Sequence, residues 1–530
     1  MPSNHAAHNI PPRLQHRFRI MDGSSWLPFA VSFPVSCVEY LRTRSLLAFT
    51  RSLPNAGPEE AIDIPALCIE LDAWISHSDR DVDTGQAAAR RMVAGYMDRS
   101  IQAFSARWLS ILIPEGGDEN QDTVVQQLWR RARRDMLQAI NKPSYSSMLS
   151  LFIFALTPIP TGISESEELD GISGQVCIHA ALQHIQMLRA RQRNLQFSGS
   201  KVFPCSQDTL ADSPPMSPPT TEYITAESKA FWAALTFDTS ASLTLNCRSL
   251  LSAGLFGFEE ESSWRLVRAG SKIFYETVKE WTANKHMKIT DDMANEIIST
   301  STAWKLLTWK LVAVFKEALR DGHDESEINS TFVKIVSSIK EFDTVYRPPL
   351  LSCKDRMPFL SERVRFRWCK LSIAGKSCRS KSMDLKMTNF SADSMMLHYH
   401  LCILLLVDIL EASHYFSLLE EIQDAAGVAE NAVMNTLEFG LRNLYTIQVD
   451  IGDYPSVVRG KAVPILAFDP YPHHVVACVR LIGKAIERDL QAGKLSPPAY
   501  QSVHETLRQV LEQLPGTSKS VQAARSSHNQ

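Results

Sequence analysis

Apolar positions recur along this chain mainly at helical spacing. Leu128, Ala132, Met136 and Ile140 lie one turn apart, with Arg130, Arg131, Arg133 and Arg134 set to the side, which is the pattern of an amphipathic helix. Asn141-Lys142-Pro143-Ser144 stops it, because proline disfavours helical backbone at the residue before it, and Ser144 is placed to cap the next helix. Residues 145–156 are then apolar on nearly every side, as a helix wrapped by other helices should be. A third helix is expected over 174–188, ending in the basic cluster Arg189, Arg191 and Arg193.

Downstream, Trp304, Leu307, Leu311, Phe315 and Ala318 keep the same period, as do Ile328, Phe332, Ile335 and Ile339. Tyr346-Arg-Pro348-Pro349 is expected to end that group. Later helices are predicted over 394–412, from Val475 towards Gln491, and around 500–514. Shorter helical stretches surround Trp74 and Met92, and a polar loop at 115–122 separates them from Leu128. Residues 1–60 are broken by prolines at 11, 12, 28, 34, 54 and 58 and read as poorly ordered. The folded domain is expected over 61–514, with a proline-rich loop insertion at 197–227, a polar loop at 375–389 and a polar tail at 515–530. No strand-turn-strand series or fixed-period repeat stands out. The fold class is all-α, one large multi-helix domain with a proline-rich loop insertion.

Four groups of residues occur in a telling order: Leu128-Trp129 with Ala132 and Arg133, then Pro143-Ser144, then Phe231-Trp232, then Asp238 with Ser242. This succession resembles the regulatory (middle homology) domain of fungal zinc-cluster transcription factors. The likeness is clearest over residues 92–265 and is weaker at 395–401 and 469–474. Thr239 stands where the family usually has arginine, and Cys247-Arg248-Ser249 replaces its glycine-arginine-proline turn, so the family's local ion pairing is not carried over. The resemblance implies a nuclear transcriptional regulator of a metabolic, secondary-metabolite gene cluster. Its helical surfaces would bind a zinc-cluster partner or a second copy, and a small-molecule effector is compatible with the fold. Leu128, Trp129, Pro143, Phe231, Trp232, Asp238 and Ser242 are then fold-holding signature residues rather than a site.

The family's DNA-binding module is a compact six-cysteine cluster holding two zinc ions and placing a helix in the major groove. The ten cysteines here are scattered, the closest pair being Cys369 and Cys378, without the short spacings that bring thiolates together on zinc. They are read as free, buried thiols. Two readings stay open: regulation through partners, with DNA reached only indirectly, or a zinc-cluster DNA-binding factor truncated before its reader.

Composition narrows the classes further. The 530 residues are 45% hydrophobic and 21% charged, ordinary globular values that allow a large core. A net charge of −3 provides no general attraction to phosphate. Arg130–Arg134 and Arg189–Arg193 read as solvated faces or helix ends, and Arg363, Arg365, Arg367 and Lys370 as an exposed edge with snorkelling stems. The apolar runs at 148–156 and 401–407 fall short of the ~20 residues that span a bilayer, and no signal peptide is visible, so an intracellular, non-membrane protein is expected.

Rival chemistry finds little support. A helical terpene synthase needs metal-binding acidic motifs on facing helices; Asp291-Asp292-Met-Ala-Asn295-Glu296 reads instead as an acidic helix start. His398 and His400, two apart, diverge on a helix; His179 and His184, five apart, are no better placed. His473-His474 at a helix start are explained by capping and packing. Phosphate-loop, dinucleotide and nucleophile-elbow motifs are missing. No catalytic, cofactor, metal or DNA-binding residue is nominated, and the chain is not expected to be an enzyme.

Overall fold

The computed structural model describes residues 64–78, 84–107, 118–192, 195–198, 201–204, 221–244, 248–251, 258–283, 288–356, 397–442, 444–449, 459–468 and 472–528. The first half is built from α1 (Ile64–Ser78), α2 (Thr84–Ala106), α3 (Asp118–Ile140), α4 (Tyr145–Ala155), a short α5 (Glu165–Leu169) and α6 (Gly174–Gln192). As the apolar run requires, α4 is enclosed: residues from Tyr145 to Phe154 are buried, and α1, α2, α3 and α6 pack around it. Ser144 caps it as expected, accepting from the Ser147 N–H at 3.0 Å. A second cap comes from α1, where the Asp72 carboxylate accepts from the Tyr145 and Ser146 N–H groups at 2.7 and 2.9 Å. Burial pushes the Asp72 pKa up, against the lowering effect of those bonds.

Helix α7 (Thr221–Thr244) joins this group to the next by packing on α1, α6 and a 31-residue helix, α9 (Asp291–Asp321). Around α9 lie α8 (Ser262–Ala283), α10 (Glu325–Glu341), α11 (Arg347–Arg356) and α12 (Leu397–Ala412). The acidic pair Asp291-Asp292 forms the first turn of α9 behind the cap residue Thr290, as expected of an acidic helix start. Gly322 ends the helix at φ +69°, a backbone that glycine adopts without steric cost. The last layer contains α13 (Phe416–Glu421), α14 (Gln423–Arg442), α15 (Pro472–Gln491), α16 (Pro497–Gln513) and α17 (Lys519–His528). The class is all-α, and no described helix is long and apolar enough to cross a membrane.

Several boundaries differ from expectation. The polar residues Asp118–Asp122, expected in the loop at 115–122, are helical and open α3. Two short antiparallel hairpins, Leu195–Ser198 with Lys201–Pro204 and Leu444–Val449 with Arg459–Pro464, were not foreseen because four to six residues give too little alternation to read. The first of them, with the start of α7, occupies part of the expected insertion at 197–227; Ser213–Pro219 lies outside the described residues, as do 1–60, Arg363–Lys370 and the loop 375–389. Pro348 and Pro349 do not end the helix before them. A π-turn, Phe342–Tyr346, carries α10 into α11, with the Arg347 N–H bonded to the Phe342 carbonyl, and both prolines fall in the first turn of α11 where no intrahelical N–H is needed.

The expected tail at 515–530 is a docked segment. Pro160 and Ser518 form a β-bridge, the Lys519 N–H bonds the Ile159 carbonyl at 2.9 Å, and Val521 is buried. Arg525 gives α16 its C-terminal cap by donating to the carbonyls of Leu511, Glu512 and Leu514. A polar composition hid this docking because the segment is held mainly through backbone and carbonyl groups.

Trp232 of α7 is 3% exposed, with its ring edge-on to Trp264 at 6.3 Å. Trp232→Ala is expected to lower stability by about 3–5 kcal/mol, the usual loss for a buried aromatic; a melting curve of the variant checks this, and an unchanged midpoint would contradict the core assignment.

Candidate functional site

Two arrangements are candidate sites, one made by the signature residues and one that the sequence did not reveal. Of the signature residues, Leu128 and Trp129 lie on α3, Pro143 just before α4, and Phe231, Trp232, Asp238 and Ser242 on α7. Trp129 of α3 is buried against Phe154 at a centroid distance of 6.0 Å, and Phe237 of α7 stacks on Phe152 at 4.3 Å. Leu128, Pro143 and Phe231 are half-buried at the edge of this packing, while Trp232, Asp238 and Ser242 are buried. Phe231 covers the Arg189 guanidinium, 3.6 Å above its ring, and Arg189 pairs with Glu227 at 2.7 Å.

Asp238 is the chemical centre of this group. Its carboxylate accepts from the Leu250 N–H at 2.8 Å, the Leu251 N–H at 3.3 Å and the Ser249 hydroxyl, which fixes the turn after α7. Ser249 in turn accepts from the Lys310 ammonium at 2.8 Å and donates its N–H to Glu317 at 3.0 Å. Lys310 is 1% exposed; burial lowers its pKa, and the charges of Asp238, Glu317 and Glu261 oppose that shift. Thus the negative charge of Asp238 is answered from α9 through a serine, where the family pattern has an arginine beside the aspartate. Arg248 turns outward to Asp321 at 2.6 Å. This is a buried polar lock that holds the turn after α7 and ties it to α9.

The basic clusters are only partly solvated faces. Arg130 pairs with Glu167, but Arg133 is 8% exposed and donates to the carbonyls of Ile172 at 3.0 Å, Glu168 at 2.6 Å and Glu167. Its guanidinium satisfies carbonyls at the end of α5, a role invisible to helical spacing. The five described cysteines, Cys68, Cys177, Cys353, Cys402 and Cys478, are buried thiols outside any disulfide. No group of described His, Cys, Asp or Glu residues is placed to hold a metal ion. The groove between α16 and α17, lined by Arg508, Leu511, Glu512, Arg525 and His528, is closed chemically by the carbonyl bonds of Arg525.

The second arrangement lies where α9, α12 and α15 meet. His398 and His474 come to 5.0 Å between ring centroids, and His473 lies 4.3 Å from His474. Trp309 of α9 donates its indole N–H to the His398 carbonyl at 2.7 Å and rests 5.6 Å from the His474 ring. Lys305, one turn before Trp309, acts electrostatically on His398, His474 and Cys402. Burial pulls the Lys305 ammonium down to about 8, His398 down to about 3 and His473 to about 4, and the charges of Lys305 on His398 and of Arg107 on His473 add to the effect. His474 is held well below its usual range for the same reason. The three imidazoles are therefore neutral at pH 7. His398 and His400 diverge as their spacing required, and His473-His474 do start α15; their convergence with His398, 75 residues away, left no local signal beyond polar residues inside apolar helices.

No known protein family, curated protein or solved structure matches this chain.

Two outcomes are expected from these arrangements. Asp238→Ala strands the Ser249 and backbone donors and removes the largest of the counter-charges acting on buried Lys310, a loss of about 3–5 kcal/mol; Lys310→Met in the same chain should recover part of it, and a double-mutant cycle by urea unfolding reads the coupling. The depressed imidazoles set a pH dependence. Because their folded pKa values lie below the ordinary 6.5, they contribute stability fully above pH 6.5, and this is lost as pH falls through about 4 towards 3. The urea midpoint should therefore drop between pH 6.5 and 4, and less steeply in His398→Gln with His473→Gln.

Proposed function

We propose that this chain is a transcriptional regulator or coregulator that works in the nucleus through partner proteins, controlling a metabolic gene cluster. The observation that carries the reading is the Asp238 lock. Among the residues whose order resembles the regulatory domain of fungal zinc-cluster factors, Asp238 holds the turn after α7 and, through Ser249, ties it to α9. In this reading the domain binds rather than catalyses. Its partner is a zinc-cluster transcription factor or a second copy of the chain, and DNA is reached through that partner.

Tagged protein recovered from nuclei, with chromatin sequencing of the bound material, tests location and partnership together. Enrichment at defined promoters alongside a zinc-cluster protein is the expected result. Cytosolic protein without chromatin signal would overturn the regulatory reading and leave the likeness as one of fold.

A further inference from the structure

Helix α8 carries a second apolar stripe where packing in the core needs only one. Its inner stripe is complete: Trp264, Val267 and Phe274 are buried, and Val278 and Trp281 pack against the core at its end. The other stripe meets solvent. Leu266 is 42% and Ile273 66% exposed, two turns apart, with Ala269 and Gly270 between them at the spacing that shares one helix face. A Cβ added at Gly270 would meet no described atom within 4 Å, so the space above the stripe is open. Single exposed apolar residues are ordinary on a protein surface, and what distinguishes these is the charge beside them.

That charge runs in one direction. Arg265 and Lys272 border the N-terminal half of the stripe and Glu276 and Glu280 its C-terminal half, all exposed and all on one edge, since at about 100° per residue the four project within roughly 80° of one another. Arg265, Lys272 and Glu280 take part in no ion pair among the described residues. Lys279, the exception in the acidic half, stands 4.0 Å from Glu276. A two-fold axis through Ile273 that lays a second copy antiparallel sets this edge against itself reversed. At about 1.5 Å of rise per residue, Arg265 of one copy comes level with Glu280 of the other, and Lys272 falls within one turn of Glu276. Symmetry repeats both pairs, and Ile273 meets its own image on the axis. A parallel pair would set Lys272 on Lys272 and Glu276 on Glu276. Contact between identical patches requires a surface complementary to itself, and the basic-to-acidic order meets that requirement in the antiparallel sense alone.

We infer that the exposed face of α8, from Arg265 to Glu280, is an interface between two copies of this chain, paired antiparallel about Ile273. The inference does not rest on the transcriptional reading: a monomer would leave that reading with its zinc-cluster partner.

Sedimentation velocity of the full chain over a concentration series reads the assembly. One helix per copy makes a small interface, so a monomer–dimer equilibrium on the order of micromolar is expected. Ile273→Asp sets a carboxylate against its own image and should leave monomer throughout. Arg265→Glu and Glu280→Arg should each weaken self-association about tenfold, because each turns two exposed attractions into repulsions. Mixed in equal amounts, these two variants should dimerise as tightly as the parent, since each then meets the opposite charge across the seam. Positions 265 and 280 lie about 22 Å apart along one helix, so no contact within a copy produces that recovery. Far-UV circular dichroism checks that the variants keep the parent's fold, and the charge pair carries the test if Ile273→Asp does not. A parent chain that stays monomeric, a dimer indifferent to a folded Ile273→Asp, or a mixture no tighter than either charge variant alone would each overturn the assignment.

Discussion

A helix without a solvent-facing side constrains everything around it. Tyr145–Ala155 can be buried only if neighbours cover it on all sides and if its end groups find partners inside the protein. Asp72 and Ser144 serve its N-terminus, and Ser150 turns its hydroxyl back to the Ser146 carbonyl at 2.7 Å. Phe152 then meets Phe237, which sets the position of α7, and α7 carries Asp238 to α9. Burial of one apolar helix thereby propagates through two more.

Charge is admitted to this interior under strict conditions. Asp238 has three donors and an answering ammonium, Arg133 spends its guanidinium on carbonyls, and Arg189 lies against an aromatic face beside a carboxylate. Each offsets the desolvation penalty with directed bonds. At the junction of α9, α12 and α15 the solution differs: the imidazoles shed their protons and solvent keeps partial access.

Much of the fold was legible in local spacing. The stop at Pro143 with its Ser144 cap, the enclosed helix after it, the acidic start at Asp291 and the core stripe from Trp304 to Ala318 all derive from residue type and period. The signature aspartate was legible as well, through the order of motifs around it. Its partners were not: Ser249 and Lys310 are 61 residues apart, and no local rule joins them. The docked end of the chain and the helix running past Pro348 were hidden for similar reasons, since both depend on backbone bonds made with the folded surroundings or on a change of helical pitch.

Sequence alone determined that this protein is helical, where its principal helices start and stop, and which faces are apolar, because those properties depend on interactions within a few residues. Tertiary structure decided which polar residues meet. Lys305, His398 and His473 lie on three different helices, and only the packing of those helices brings them into one electrostatic neighbourhood, since charges act through distance in space and not along the chain.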